Sequence, residues 1–328
     1  MLDKSVWDQE VPVPLSAISF VDDGILKKLP PGTTITRIFA SGASYWARTA
    51  KIEAKNSRGE KDSYFLKVHQ GASGKTMVSS EFQSMGVLYK VIPEMVARPV
   101  GWGSYQSVLD THFFVCEFRE LSEDVPDVAD FPALVAEMHK RGVSPDGKFG
   151  FSLETFGGNN PQMFPVSDTW EECFSKGMQG IFAAELKTHG PDEEIEMLTK
   201  AMVEKVIPRL LRPLETEGGT VVPRLVHGDL WDGNASVDVS TGSPLIFDAT
   251  PLYAHNEYEL GPWRGARHKM TRAYVEEYMK HFQVSEPAVE FNDRGELYCL
   301  VKDTMHKLLD KYGEGYEGYA ERHGFVAA

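Results

Sequence analysis

Cysteine is scarce in this chain of 328 residues, which contains three, at positions 116, 173 and 299. An odd number of widely spaced cysteines without a C-x-x-C pair predicts neither a disulfide framework nor a zinc site. Long apolar runs are also missing, since no stretch approaches the roughly 18 residues of a membrane-spanning helix. The first residues, MLDKSVWDQE, lack the positively charged and apolar segments of a secretory signal. We therefore expect a cytoplasmic protein without a membrane partner.

Basic residues are outnumbered by acidic ones. The chain has 34 Lys and Arg against 48 Asp and Glu, and its formal net charge is -14. Because binding to phosphate polymers requires clustered basic side chains, this balance disfavours nucleic acid and anionic membranes as partners. It still allows a nucleotide, whose charge one lysine and bound magnesium ions can neutralise locally.

The length and the hydropathy pattern predict two parts, because 328 residues exceed what one hydrophobic core comfortably holds. Residues 1–118 have mostly strand-like patterns with one helical stretch, and residues 119–328 have mostly helical patterns. We therefore expect an N-lobe over 1–118 and a C-lobe over 119–328. Within the C-lobe, residues 183–211 predict helices that are broken near Gly190 and Pro208. No long helix has the seam of a coiled coil, so a monomer is expected.

The segment HGDLWDGN, at residues 227–234, is the most informative in the chain. In phosphoryl transfer, a His-x-Asp-x4-Asn loop supplies an Asp that accepts the proton of the attacking hydroxyl and an Asn that holds a metal ion. Asp229 and Asn234 have this spacing, and a hairpin predicted over residues 235–247 returns Asp248 to the loop as a second metal ligand. The same residues also suit a plain surface loop. The apolar run before the segment and the strand after it favour a phosphotransferase active site.

Such an active site requires a lysine that contacts the nucleotide phosphates and a glutamate that pairs with this lysine. Lys67 is near the end of the strand-like segment 63–68, and Glu81 follows within a helical pattern. Considered alone, Lys67 also suits a strand lysine whose charged end reaches solvent, and Glu81 suits a solvated residue on the surface of a helix. Their combination ahead of the loop favours an ion pair.

Two other segments are candidates for nucleotide contacts. Residues 33–39 and 47–54 alternate like hairpin strands, and the small residues between them, including Gly42 and Ser44, suit either a phosphate-covering loop or an ordinary turn. The apolar run at 113–118, which contains Glu117, is either a connector whose backbone contacts adenine or a plain buried strand.

Several segments resemble the fructosamine 3-kinase (ketosamine 3-kinase, protein-ribulosamine 3-kinase) family. LVHGDLWDGN is similar to the HGDLWxGN signature of that family, including Trp231 after the Leu. Four further segments are similar in the same order: FLKV with Glu81; Phe149-Gly150-Phe151 with Asn160-Pro161-Gln162 and Trp170; LIFDATPLYAHNEYEL; and LYCLVKDTMHKLLDKYGEGYEGY. The resemblance implies an α+β, bilobal protein-kinase-like (aminoglycoside phosphotransferase-like) fold, with a small β-rich N-lobe and a larger, mostly helical C-lobe.

The resemblance also implies an ATP- and Mg²⁺-dependent kinase that phosphorylates the O3 hydroxyl of ketosamines on free amines or protein lysines, and thereby repairs glycation. It implies that Asp229 is the base and that Asn234 and Asp248 are the magnesium ligands. Lys67 and Glu81 would form the pair that positions the phosphates. Trp231, His255 and Glu257 are candidates for substrate contacts, although such residues also serve in packing beside an active loop.

Two alternatives stay open at this point. The first is a kinase of another small hydroxylated molecule, such as an aminoglycoside, choline or a pentose. The second is a catalytically silent nucleotide-binding scaffold. Glu259, where relatives often carry Asp, and residues 261–264 depart from the pattern of the resembled family and leave the sugar specificity open.

Overall fold

The computed structural model describes residues 13–42, 44, 46–216 and 218–325. The N-terminal segment considered for a secretory signal lies outside the described residues. Within them the strands are β1 (Thr34–Ala40), β2 (Arg48–Lys55), β3 (Lys61–Gln70), β4 (Pro99–Ser104), β5 (Thr111–Glu117), β6 (Thr155–Gly157), β7 (Asn160–Gln162), β8 (Arg224–Val226), β9 (Ala235–Val237), β10 (Pro244–Ile246) and β11 (Leu252–Ala254). The helices are α1 (Asp23–Leu26), α2 (Gly71–Val91), α3 (Phe131–Arg141), α4 (Trp170–His189), α5 (Glu193–Ala201), α6 (Ile207–Leu211), α7 (Arg272–His281), α8 (Phe291–Tyr298), α9 (Lys302–Tyr312) and α10 (Gly315–His323).

The chain divides into two compact units that are not continuous in sequence. The first unit contains the described residues of 1–126, 155–159 and 233–250, and the second contains those of 127–154, 160–232 and 251–328. The segment 233–250 therefore belongs to the first unit. The division into lobes at residues 118 and 119 stays a prediction.

The first unit is built on an antiparallel sheet in the order β1-β2-β3-β5-β4. Alternate residues of its strands are buried on one face, among them Ile52, Leu66, Val68 and Val115, because successive side chains of a strand point to opposite faces. The other face carries Lys67 and packs against α2. The strands predicted at residues 33–39, 47–54 and 63–68 are confirmed as β1, β2 and β3.

Helix α2 starts and stops at residues with clear local reasons. Gly71 has a φ of 82°, a left-handed conformation that glycine adopts without steric cost, and this turn redirects the chain from β3 into the helix. The helix ends before Pro93, whose ring disfavours helical backbone in the preceding residue. Val78, Met85 and Leu88 are its buried apolar residues, which confirms the predicted helical pattern around Glu81.

The second unit is mostly helical. Helices α4, α5, α6, α8 and α9 contribute to one apolar core, together with β8 and β11, which pair antiparallel. Helix α3 packs against α7 and β8. Helix α10, which lies in the last of the segments that resemble the family, buries Tyr316 and Tyr319.

The break predicted at Gly190 is confirmed, because Gly190 has a φ of 91° and follows the last residue of α4. The break predicted at Pro208 is wrong. Helix α5 continues through a π-helical turn at Met202–Val206 into α6, and Pro208 lies in the first turn of α6. The amide of Ile207 bonds the carbonyl of Met202, five residues back. This change of register accommodates a residue that has no amide hydrogen. Among the described residues, no helix combines the length and the apolar character that crossing a bilayer requires.

Candidate active site

The first unit brings together Lys67, Glu81 and Asp248. Strand β3 buries Leu66 and Val68 on one face and directs Lys67 to the opposite face. The Nζ atom of Lys67 lies 3.0 Å from Oε2 of Glu81 on α2 and 2.8 Å from Oδ1 of Asp248. The ion pair predicted between Lys67 and Glu81 is therefore present, and Asp248 is a second partner of the lysine.

The charge of Lys67 is fixed by these neighbours. Burial by itself lowers the pKa of a lysine, because it disfavours the charged form. Here the charges and hydrogen bonds of Asp248 and Glu81 outweigh burial and raise the pKa of Lys67 above its ordinary value. The lysine therefore stays an ammonium at neutral pH.

The hairpin of β9 and β10 positions Asn234 and Asp248. Ile246 pairs with Ala235, and the amide of Phe247 donates a hydrogen bond of 3.0 Å to the carbonyl of Asn234. The two candidate metal ligands therefore lie at the same end of one hairpin. Asn234 is buried, whereas the Asp248 side chain is 51% exposed.

Asp248 has a left-handed backbone, with a φ of 57°. This conformation is uncommon for residues other than glycine, although Asp tolerates it better than most. Strained conformations of this kind cluster at functional sites.

The donor set at this end of the hairpin fits magnesium. Mg²⁺ prefers oxygen ligands and is commonly held by one or two carboxylates together with water and substrate phosphates, without a cage of protein side chains. A carboxylate and an amide oxygen meet this requirement. Among the described residues, no cluster of three or more His, Cys, Asp and Glu side chains is arranged to hold a metal ion, so a closed structural metal site is not found there.

The loop between β1 and β2 contains two predicted nucleotide contacts. Gly42 has a φ of 82° and follows Ser41, whose amide bonds the carbonyl of Thr49. The hydroxyl of Ser44 accepts hydrogen bonds of 3.3 Å from the amides of Trp46 and Ala47. Ser44 therefore shapes the loop. Two further residues of the predicted loop, at positions 43 and 45, lie outside the described part of the chain.

Glu117 closes β5. Its amide donates to the carbonyl of Arg98, and its carboxylate accepts from Nη2 of Arg119 at 3.1 Å. The amide is thus part of the sheet. A contact between this segment and adenine stays a prediction.

The second unit holds the candidate base, Asp229, on the loop that follows β8. The two backbone amides that precede Asp229 in the loop are bound by one carboxylate: the amides of His227 and Gly228 both donate to Glu259. Gly228 has a φ of 82°, which allows the chain to turn there. Glu259 lies in the short helical turn Asn256–Leu260, which follows β11, the partner of β8.

Glu259 is buried and has a third partner. Nε2 of His139 lies 3.5 Å from its Oε2, and Nδ1 of the same histidine lies 2.7 Å from the hydroxyl of Tyr278. Burial raises the pKa of a carboxyl group, but the bonds and charges of His139 and His227 outweigh it and hold the pKa of Glu259 below its ordinary value. An ionised Glu259 therefore fixes the loop that carries Asp229.

Sequence reasoning missed this role of Glu259. Glu259 is 32 residues from His227, and no spacing rule connects them. The turn Asn256–Leu260 packs beside β8, and this packing brings Glu259 to the loop. A partial signal was available in the sequence, since an acidic residue among the buried Leu260 and Trp263 needs partners of its own.

Trp231 lies two residues after Asp229, and its side chain is 37% exposed. Its ring packs against the ring of His268, with centroids 5.5 Å apart. The exposed part of the indole makes a substrate contact feasible. This contact stays a prediction.

His255 and Glu257, the other predicted substrate contacts, are buried. His255 is hydrogen-bonded to Tyr298 and Ser285, each at 2.9 Å. Glu257 accepts two hydrogen bonds from the guanidinium of Arg294, at 2.8 and 3.1 Å. Because neither side chain presents a surface to a ligand, we assign both to packing and leave them out of the candidate site.

Comparisons with known protein sequences agree on one family. A family model described as "Fructosamine kinase" matches residues 45–323. The "Protein-ribulosamine 3-kinase, chloroplastic" of Oryza sativa subsp. japonica is 31% identical over 259 residues, which cover 79% of this chain and 70% of the rice protein. The "Ketosamine-3-kinase" of Mus musculus is 28% identical over 283 residues, covering 79% of this chain and 86% of the mouse protein.

Solved structures show the fold. A putative fructosamine-3-kinase from Thermobifida fusca matches with a TM-score of 0.64 and 18% identity, over 85% of this chain and 95% of that chain. A thermostable aminoglycoside phosphotransferase APH(4)-Ia in a ternary complex with AMP-PNP and hygromycin B matches with a TM-score of 0.51 and 14% identity, over 88% and 90%. The predicted α+β fold, similar to protein kinases and aminoglycoside phosphotransferases, is confirmed.

Proposed function

The chain belongs to the fructosamine kinase family, and we propose that it transfers the γ-phosphoryl group of Mg-ATP to the O3 hydroxyl of ketosamines. The observation that carries this proposal is the contact of Lys67 with both Glu81 and Asp248. A positive group held by two carboxylates, one of them half exposed at the end of a hairpin, is what binding of a metal-bound triphosphate requires. A catalytically silent nucleotide-binding scaffold usually loses the lysine, the base or a metal ligand, whereas Lys67, Asp229, Asn234 and Asp248 are all present in this chain.

On the nucleotide side, Lys67 contacts the phosphates and Glu81 holds the ammonium in position. Asn234 and Asp248 would hold magnesium, which would neutralise charge on the phosphate oxygens. Asp248 would provide the carboxylate for the metal ion while it also contacts Lys67.

On the acceptor side, Asp229 orients the attacking hydroxyl and receives its proton. A carboxylate is a weak base at neutral pH, but the hydroxyl loses its proton late in a loose transition state. Orientation therefore contributes more to the rate than basicity does. The bonds of Glu259 to His227 and Gly228 supply this orientation by fixing the loop.

The product explains how such a kinase reverses glycation. Enolisation of the 3-phosphorylated ketosamine forms a double bond between C1 and C2, next to the carbon that carries the phosphate. Inorganic phosphate then leaves from C3, and water hydrolyses the resulting iminium ion to an aldehyde and the free amine. The enzyme supplies only the phosphate, and the lysine is regenerated without further catalysis.

We propose protein-bound and free ribulosamines as preferred acceptors, because curated relatives named protein-ribulosamine 3-kinase match the chain. We also propose a cytoplasmic monomer that binds neither nucleic acid nor membrane. The net charge of -14 supports the absence of nucleic acid.

A substrate panel tests the proposal. The purified protein is incubated with ATP and magnesium and with ribulosyl-, fructosyl- or psicosyl-lysine, and in parallel with kanamycin, choline and ribose. ADP formation measures turnover, and phosphorus NMR shows which carbon carries the phosphate. We expect phosphorylation at O3 and a delayed release of lysine, both absent with Asp229→Asn. Faster turnover of kanamycin, choline or ribose contradicts the proposal, and binding of ATP without turnover of any acceptor favours a scaffold.

A further inference from the structure

A short segment of the second unit, residues 262–269, contacts three successive residues of the loop that carries Asp229. The indole Nε1 of Trp263 donates to the carbonyl of Leu230 at 2.9 Å. The ring of His268 packs against Trp231, and Nδ1 of His268 lies 3.0 Å from Oδ1 of Asp232. We call residues 262–269 the support segment.

The hydrogen bonds of His268 fix its tautomer. The Nε atom of Arg267 donates to Nε2 of His268 at 3.2 Å, so Nε2 is an acceptor. Nδ1 then carries the proton and donates a hydrogen bond to the carboxylate of Asp232. The same carboxylate also accepts a hydrogen bond from the amide of Lys269 at 3.1 Å. Both ring nitrogens are thus used, and the imidazole is held in one orientation.

The backbone of the support segment is shaped to hold this ring. A Cβ atom at Gly265 would lie 2.9 Å from Cδ2 of His268, a distance too short for a carbon contact. The imidazole therefore fills the space that the glycine leaves. The side chains of His268 and Asp232 are 10% and 16% exposed, whereas the neighbouring indole of Trp231 is 37% exposed.

Trp231 is close to the reacting centre along the chain, since its amide donates to the carbonyl of Asp229 at 3.2 Å. An acceptor whose hydroxyl is bound by Asp229 would extend its neighbouring carbon atoms along the loop that carries Trp231. In a ketosamine the nitrogen is attached to C1, two carbons from the C3 that carries the reacting hydroxyl. An indole binds both the apolar C–H face of a sugar and a nearby ammonium.

We propose that His268 is a positioning residue that holds the Trp231 indole and Asp232 in the orientation that receives the ketosamine. This inference rests on the proposed function. A partly exposed indole that no neighbouring ring holds samples several side-chain conformations, and ordering it on binding weakens affinity for the acceptor. His268 removes this cost before the acceptor arrives. The effect of His268 therefore lies in the KM for the ketosamine, while the nucleotide is unaffected.

Kinetics of His268 variants test the proposal. For His268→Ala we expect a rise of about tenfold in the KM for ribulosyl-lysine, with kcat and the KM for ATP changed by less than about twofold. His268→Gln keeps a donor for Asp232, and His268→Phe keeps a ring beside Trp231, so each variant restores part of the loss. His281→Ala is the matched control, because His281 also pairs with a carboxylate, that of Glu277, and this pair lies within the last turns of α7. It is expected to behave as the unmodified chain.

A second measurement needs no acceptor. Acrylamide quenching is compared between chains with Trp231 and with Trp231→Phe, so that the difference reports this indole alone. We expect His268→Ala to increase the quenching of Trp231 and His281→Ala to leave it unchanged. Unchanged quenching in His268→Ala overturns the positioning role.

Kinetics and quenching together distinguish a failure of the proposed function from a failure of the positioning role of His268. If the unmodified chain phosphorylates no ketosamine, the proposed function fails, and with it the role of His268 in receiving a ketosamine. Quenching then shows whether the residue still orders the indole. If the unmodified chain phosphorylates ribulosyl-lysine and His268→Ala keeps its KM, the inference fails alone. Equal increases in both KM values also overturn it, because they indicate a general loss of structure.

Discussion

Replacing Glu259 with Gln removes the charge that binds the loop of Asp229 while preserving the size of the side chain. The carboxylate accepts hydrogen bonds from the amides of His227 and Gly228 and from His139. A glutamine has one acceptor oxygen, and its NH₂ group is a donor. At least one of the backbone amides then faces another donor or loses its partner.

The magnitude follows from burial, since Glu259 is 1% exposed. A buried donor without an acceptor costs about 1–3 kcal/mol, and a hydrogen bond to a charged group contributes about 1.5–3 kcal/mol. We therefore expect Glu259→Gln to lower the free energy of unfolding by about 3 kcal/mol. Displacement of the loop misplaces Asp229, and we expect kcat to fall by about tenfold to a hundredfold.

Urea unfolding at pH 7 and steady-state kinetics measure the two effects. Glu172→Gln is the control, because Glu172 forms an exposed pair with Lys176, and pairs of this kind contribute little. An unfolding free energy and a kcat equal to those of the unmodified chain would show that Glu259 does not fix the loop.

We also expect the stability difference between the unmodified chain and Glu259→Gln to depend on pH. The folded protein holds the pKa of Glu259 below its ordinary value, so the stabilisation is present above the unfolded pKa of about 4.3 and is lost as the pH falls through the folded value. The difference in unfolding free energy between the unmodified chain and Glu259→Gln is therefore expected to narrow at acidic pH. A difference that stays constant down to pH 3 contradicts the assignment of an ionised Glu259.

Three further predictions concern single residues. Lys67→Met should lower kcat/KM for ATP by about a hundredfold or more, whereas Lys61→Met, at the exposed start of the same strand, should leave it unchanged; equal effects refute the role of Lys67. Asp229→Asn and Asp248→Ala should both lose turnover, but calorimetry should show weaker Mg-ATP binding only for Asp248→Ala. Burial, chiefly, lowers the pKa of His255 to about 4, so the chain should lose about 3 kcal/mol of stability from this residue as the pH falls from about 6.5 towards the folded pKa. A titration of the His255 ring near pH 6.5 by NMR would contradict this.

Local patterns predicted much of the first unit. The alternation in β3 and the helical period of α2 place Lys67 and Glu81 on facing surfaces, and the turn residues between β9 and β10 bring Asp248 back beside Asn234. These contacts depend on strand and helix periods, which the sequence displays directly.

Contacts between distant segments were not predictable in the same way. The partners of Glu259 depend on the packing of the Asn256–Leu260 turn beside β8, and those of His268 depend on the course of the support segment. Neither arrangement has a periodic signal in the sequence. The prediction of a helix break at Pro208 was wrong because proline usually ends a helix, and a π-helical turn is a rare way to accommodate it. His255 and Glu257 adjoin a functional motif, but their burial depends on the packing of α8 against the turn Asn256–Leu260, which His255 precedes and Glu257 belongs to.

The first unit is built from three separate segments of the sequence, which affects its synthesis and the choice of fragments for study. A fragment that ends at Pro126 lacks the hairpin of β9 and β10, and with it Asp248, the anionic partner of Lys67. On the ribosome, this unit remains incomplete until residue 250 has emerged, after more than a hundred residues of the other unit. At about 5–20 residues per second, synthesis of residues 127–250 takes about 6 to 25 seconds. The five-stranded sheet is therefore synthesised well before the hairpin that carries Asp248, and a fragment without this hairpin is a poor starting point for measuring nucleotide binding.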